Sequence, residues 1–333
     1  MRRLVKRALF HSGLLSVAAL ARGRRGAAVL RYHAITADAA DVPYATPDIC
    51  LPVSVFRRQM AYVRRAYRVL PLDELVERVE RGAPLPSRAL AITFDDGYAD
   101  NHRLALPVLR ALGLPAAVYV TTGSVGDAAP LWMSAARVLV LAAPGPELRV
   151  PGLAPLPLSA PSRRGDDARA LTRALVPLAA TDRAARLQTT AAGIGVDLGR
   201  ALAGTMLGWD EVRALANAGW TVGAHTVSHA NVALAAPADA EREIADSRDA
   251  IAAAVGAPVR HFAYPNSGGA HRYFDGATAA ILRRLGFRSA ATSRAGVVAA
   301  GTDPFTLPRI GVSPRLAAVS DLAASLVRHQ LAS

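Results

Sequence analysis

The sequence predicts a parallel α/β fold, and three observations carry that prediction. Short apolar runs alternate with segments of helical spacing along most of the chain, the pattern of strands buried between helices. The clearest run, Ala89-Leu90-Ala91-Ile92-Thr93-Phe94, is almost wholly apolar and stops at Asp95-Asp96-Gly97, as a strand covered on both faces does. With 52% hydrophobic and 20% charged residues over 333 positions, a sizeable core can form and wholesale disorder is excluded. One barrel of about 250 residues with appendages fits that length.

The elements follow in chain order. Residues 1–26 are a basic segment, with Arg2, Arg3, Lys6 and Arg7 ahead of an apolar stretch interrupted by His11 and Ser12. Two readings of it stand side by side. Ala19-Leu20-Ala21 resembles the small-residue cleavage site of a secretory leader. The same segment also suits a basic amphipathic helix lying on the fold or on a membrane surface. No apolar run reaches the 18 residues of a spanning helix.

Residues 27–33 (AAVLRYH) form the first strand. Val53–Ala66 and Leu72–Arg81 have helical spacing, punctuated by Pro71 and by Gly82-Ala83-Pro84. After the strand 89–94 a helix runs to Leu112, closed by Gly113, and the strand 116–121 follows. Residues 125–205 break the rhythm. They are rich in Pro, Gly and Ala around 143–162 and helical in pattern over 167–192, as an insertion would be. Alternation resumes with a helix at 209–218 and a strand at 220–224. A helix at 238–255, short strands near 261–264, 288–292 and 306–312, and a last helix over 315–331 complete the chain.

Composition narrows the function classes. Cys50 is the only cysteine, so a disulfide framework, a multi-cysteine zinc site and a protein-held iron–sulfur cluster are excluded. The formal charge is +13, but Lys6 is the only lysine and the arginines are spread along the chain. Aromatics are 5%, too few for the interleaved stacking platform of a nucleic-acid binder. No nucleic-acid partner is therefore expected.

Two polar clusters follow strands, Thr93-Phe94-Asp95-Asp96-Gly97-Tyr98 and His225-Thr226-Val227-Ser228-His229. In α/β barrels the strand C-termini carry the chemistry. If 225–229 is one helical turn, His225 and His229 at i and i+4 face one point and can share a metal. A carboxylate from another strand completes a two-histidine, one-carboxylate set with open positions. Adjacent aspartates point apart on an extended strand end, so one can ligate while the other works as a base. A divalent ion so held lowers the pKa of water towards neutrality and polarises a carbonyl oxygen. Metal, water and base suffice to hydrolyse an amide or ester.

TFDDGYADN and HTVSH resemble the two signature motifs of the polysaccharide deacetylase family, the homology group of chitooligosaccharide and peptidoglycan deacetylases, over about Val29–Arg309. The resemblance implies a distorted (β/α) barrel of about seven parallel strands, here with a mainly helical insertion. It also implies metal-dependent removal of acetyl groups, N-acetyl first, from a polysaccharide or oligosaccharide. It assigns the base to Asp95 and the metal ligands to Asp96, His225 and His229. Tyr32-His33 is similar to the Tyr-His of the branch acting on poly-N-acetylglucosamine, which gives His33 the part of general acid. Phe262-Ala263-Tyr264-Pro265-Asn266 departs from the family's Arg-x-Pro-Tyr motif. Asn266 keeps the backbone donor for the oxyanion hole. Ala263 lacks the arginine that orients the base, and Arg309, in Leu307-Pro308-Arg309, is the candidate replacement.

The expected cofactor is a divalent metal, zinc ahead of cobalt, nickel or iron. The expected substrate is an acetylated polymer of the cell envelope or outside it, with a cytoplasmic location as the alternative and peripheral membrane contact through the N-terminus. The missing motif arginine keeps a second reading open, a carbohydrate-binding barrel without turnover. The +13 charge keeps a third, a surface binder of anionic polymer.

Overall fold

The computed structural model describes residues 26–38, 42–266 and 271–331. Residues 1–25 of the basic N-terminal segment, with its cleavage-like site, lie outside the described residues.

Among the described residues, nine strands form one curled sheet. They are β1 (Ala27–Tyr32), β2 (Arg68–Val69), β3 (Ala89–Phe94), β4 (Ala117–Val120), β5 (Thr221–Ala224), β6 (His261–Ala263), β7 (Ser289–Ala291), β8 (Val297–Val298) and β9 (Ile310–Gly311). The spatial order is β7-β6-β5-β4-β3-β1-β8, with β2 on β3 and β9 on β1. Of these nine, β8 alone runs antiparallel to its neighbour. The two edges meet through residues 307–312: Leu307 N–H donates to Ala290 O at 3.0 Å, and Leu30 of β1 pairs with Ile310 of β9. The sheet is thus a distorted (β/α) barrel.

Period-two alternation sorts each strand into an inner and an outer face. On β1 and β3 the outward residues Leu30, Tyr32, Leu90, Ile92 and Phe94 pack under the surrounding helices. The helices flanking the sheet are α1 (Val53–Ala66), α2 (Leu72–Glu80) and α3 (Leu106–Leu112). The inward residues Ala27, Val29, Ala89, Ala91, Ala117 and Tyr119 fill the barrel. They are mostly small because the distorted barrel is narrow. Gly223 on β5 shows how narrow: a Cβ there would stand 2.6 Å from the Tyr119 ring and 2.8 Å from His261 O. Further up the same inner rows the residues turn polar, to Arg31 and His33 from β1 and Thr93 and Asp95 from β3. The polar ends are at the C-terminal mouth.

The segment expected to be an insertion has a hydrophobic cluster of its own, built by α4 (Trp132–Ala142), α5 (Arg164–Leu175) and α6 (Ala180–Gly193) around Leu139, Leu171, Leu175 and Leu187. Helix α4 has no counterpart among the expected elements. Its run WMSAARVLVLA is apolar nearly all round, so a 3.6-residue period is hard to read from it. Helices α7 (Trp209–Asn217), α8 (Pro237–Val255), α9 (Gly276–Arg284) and α10 (Val319–Leu331) complete the outer layer. No helix among the described residues is long and apolar enough to cross a membrane.

Candidate active site

At the C-terminal mouth of the barrel lies a cleft of about 330 Å³, lined among others by Arg31, His33, Asp95, Asp96, His225, His229 and Asn266. The fold therefore brings six of the seven sequence-derived site residues to one wall-and-floor. The seventh, Arg309, is buried directly beneath at 1% exposure.

Arg309 binds both oxygens of Asp95, Nη1 to Oδ1 at 2.6 Å and Nη2 to Oδ2 at 2.8 Å. Its Nε donates to Thr292 O at 2.8 Å, which fixes the plane of the fork. Bidentate, charge-assisted pairs of this kind leave a carboxylate one orientation. Burial alone would raise the Asp95 pKa, but the guanidinium outweighs it and holds the carboxyl at about 2.

Asp96 turns the other way. It sits at φ +73°, in the left-handed region, before Gly97 at φ +86°. That backbone sends its Oδ1 to 3.4 Å from His225 Nε2 and 3.3 Å from His229 Nε2. One ligand atom from each of the three residues lies within 4.8 Å of the others, and all three residues are buried. His225 Nδ1 is 2.7 Å from Ala263 O. A proton donated there leaves the Nε2 lone pair facing Asp96. Burial lowers the His229 pKa below its ordinary value and favours the neutral form that ligates metal. Three buried electron-pair donors converging on one point fit a divalent cation.

The His225–His229 segment is not a helical turn. Thr226 at φ +66° and His229 at φ +54° break any helix. Side chains satisfy the backbone instead: Ala230 N–H donates to Thr226 Oγ1 at 3.1 Å. The two imidazoles still meet, with ring centroids 4.9 Å apart and edge to face.

His33 leaves β1 on the inner row and places Nε2 4.0 Å from Asp95 Oδ2. Burial at the cleft floor lowers its pKa to about 4, so the resting imidazole is neutral. Asp100 and Asn101, which follow Asp95-Asp96 in the chain, hold this strand end. Asn101 Nδ2 donates to His33 O at 2.8 Å, and Asp100 Oδ1 accepts from Ile35 N–H at 2.9 Å. A carboxylate-amide pair just after a strand was the available signal, but its target lay about 65 residues back in the chain.

Residues 82–290 match the model of the polysaccharide deacetylase family. The chain belongs to that family. The poly-beta-1,6-N-acetyl-D-glucosamine N-deacetylase of Escherichia coli K12 is 31% identical over 100 residues, 30% of this chain. That stretch spans 14% of the relative's length. Among solved structures, the Streptococcus pyogenes deacetylase PplD in complex with acetate aligns with a TM-score of 0.61 at 17% identity, covering 90% of this chain and 98% of that one. IcaB from Ammonifex degensii aligns at 0.58 and 20% identity, over 91% and 97%. These neighbours share the fold.

In this polysaccharide deacetylase family member, helices α4 and α5 border the cleft. Met133 of α4 and Arg169, Thr172 and Arg173 of α5 line it together with Tyr44 and Thr46. Trp132 of α4 is committed to contacts outside the cleft lining. It is buried, with the Arg183 guanidinium over its ring at 4.3 Å and its Nε1 donating to His229 O at 3.3 Å. His261, without an assigned role in the sequence, lies at the opposite end of the barrel, bonded to Asp73 at 2.9 Å and Ser289 at 2.8 Å.

Proposed function

We propose that this chain hydrolyses N-acetyl groups from an amino-sugar polymer or oligomer, as a metal-dependent deacetylase. The observation that carries the reading is the division of labour between neighbours. Asp95 is held by Arg309, while Asp96 joins His225 and His229. A binding module has no use for a fixed base beside a cation site, and Arg309 answers the missing motif arginine that favoured that alternative.

Asp96, His225 and His229 would hold the divalent ion, zinc first, with cobalt, nickel or iron(II) compatible with the donor set. When bound, the ion supplies Lewis-acid polarisation and an acidified water. The protein's own groups supply the proton traffic. Asp95, ionised through the physiological range, takes a proton from the attacking water. A backbone N–H at Asn266 would face the developing oxyanion. The C–N bond breaks as the departing nitrogen takes a proton from His33. With Asp95 only 4.0 Å away, a proton accepted there is one short transfer from the resting neutral imidazole.

The domain reading is one catalytic barrel over 27–333, with residues 125–205 as an insertion that shapes substrate choice. The E. coli relative is a poly-beta-1,6-N-acetyl-D-glucosamine N-deacetylase, which supports an amino-sugar polymer of the envelope or the cell exterior as the substrate. The test is acetate release from N-acetylglucosamine oligomers, with and without chelator. Acetate released at equal rate in both, or full activity in Asp96→Ala, would refute the proposal.

A further inference from the structure

We propose that Glu243, on α8 outside the catalytic cleft, is a positioning residue that sets the two metal-binding imidazoles. The inference rests on the metal-centre reading above. Glu243 Oε2 accepts the N–H of Val227 at 2.9 Å and of Ser228 at 2.8 Å, and its Oε1 accepts Ser228 Oγ at 2.6 Å. One carboxylate thereby takes up three donors of the five-residue segment that begins and ends with His225 and His229.

The segment needs an external hold. Two of its residues, Thr226 and His229, are non-glycine at positive φ, a conformation that persists only where surroundings over-determine it. The N–H groups of Val227 and Ser228, which a single helical turn would also leave open, are taken up by Glu243. The carbonyl side is held from the insertion: Arg183 Nη2 reaches Ser228 O at 3.4 Å and Trp132 reaches His229 O at 3.3 Å. The loop is gripped on both sides, and the charge-assisted grip is that of Glu243.

Glu243 does this without touching the cleft. It lines a separate cavity of about 450 Å³ with Arg183, Val227 and Ala230, on the far face of the loop from the two imidazoles. Its removal should therefore change how well the ligands are preorganised, not what the substrate meets. Outer groups that orient metal ligands typically carry about 10–100-fold in metal affinity.

The experiment titrates metal-stripped full chain with Co(II) and Zn(II), following the cobalt visible spectrum and the dissociation constant, with thermal unfolding alongside. Glu243→Ala should weaken both metals about 10–100-fold and shift the cobalt bands. Glu243→Gln, whose amide can accept the two N–H groups and donate to Ser228 Oγ, should recover most of that loss. If Glu243→Ala does not fold, Glu243→Asp and Ser228→Ala decide, and each should bind cobalt several-fold more weakly. A folded Glu243→Ala with wild-type affinity and spectrum overturns the inference, even if its melting temperature falls. So does wild-type binding in both Glu243→Asp and Ser228→Ala. Wild-type protein that binds neither metal would overturn the metal centre itself, a result distinguishable from a failure of Glu243 alone.

Discussion

Arg309 holds both carboxylate oxygens of Asp95 from 214 positions further along the chain, across the seam where the curled sheet closes. The pair is buried on both sides, and Arg309 also donates to Thr93 Oγ1 at 3.3 Å. Lysine in place of Arg309 would keep the charge and lose the fork, so Asp95 could rotate away from its working orientation. Arg309→Lys is expected to lower kcat about 100-fold, near 3 kcal/mol, with a small change in KM. Arg309→Ala should also destabilise the fold by roughly 3–5 kcal/mol, because an unpaired carboxylate is left buried. Steady-state acetate release and urea unfolding read these two effects separately. Unchanged kcat in Arg309→Lys would deny Arg309 its orienting part.

The cation site makes a second prediction. Chelation should abolish acetate release, and added zinc or cobalt should restore it. Asp96→Asn and His225→Gln should each bind less than one metal ion per chain after gel filtration and lose activity by at least about 1000-fold. Both changes are close in size, so circular dichroism should stay that of the wild type. Metal content by mass spectrometry, measured on the same samples as activity, checks the link. A variant with no metal and full activity would break it.

The sequence made the strands and the site legible to different degrees, for physical reasons. The run 89–94 is readable because a strand covered on both faces must be apolar throughout, and it is a strand at just those residues. Asp95, Asp96, His225 and His229 are readable because they follow strands and carry ligand or base chemistry. Arg309 was reachable only by noticing what Ala263 lacks, since nothing local marks an arginine that acts across a barrel seam. Glu243 gave no signal: on an exposed amphipathic helix, a carboxylate that serves a loop 15 residues back looks like any solvated charge. The HxxxH spacing misled on conformation, because i,i+4 suits a helix, yet Thr226 and Glu243 offer the backbone other partners.

Asp100 makes stability depend on pH. Burial raises its carboxyl to about 7, against hydrogen bonds from Ile35 N–H, Tyr44 OH and Asn101 Nδ2. The folded protein therefore holds this proton more tightly than the unfolded chain, whose aspartates titrate near about 3.9. The contribution is fully present below about pH 4 and is lost as pH rises towards 7. Asp100→Asn keeps an acceptor for Ile35 and has no proton to lose. Wild type should lose stability relative to Asp100→Asn between about pH 4 and 7, with the gap constant above that window. Urea unfolding at pH 4.5, 6 and 8 measures it, and parallel curves for the two proteins would contradict the assignment.

The insertion should tune substrate choice and leave the chemistry alone. Arg173 and Thr172 are on the same face of α5 as Arg169, and all three border the cleft. Arg169 is engaged by Asp48 at 3.1 Å as well as by Asp166. Arg173 is exposed at the cleft edge, where a sugar beyond the one being deacetylated would pass. An exposed guanidinium offers hydrogen bonds to hydroxyls at small net energy, on the order of 1 kcal/mol each. Arg173→Ala should therefore raise KM for a long oligomer about 3–10-fold and leave kcat within about twofold, since the base and the cation site are untouched. The same change should leave KM for a disaccharide nearly unaltered if, as the cleft-edge position of Arg173 implies, it meets sugars beyond the one being deacetylated. Kinetics on a ladder of chain lengths tests it. An equal rise in KM at every length, or a fall in kcat, would place Arg173 in the reaction itself and move the insertion from specificity into catalysis.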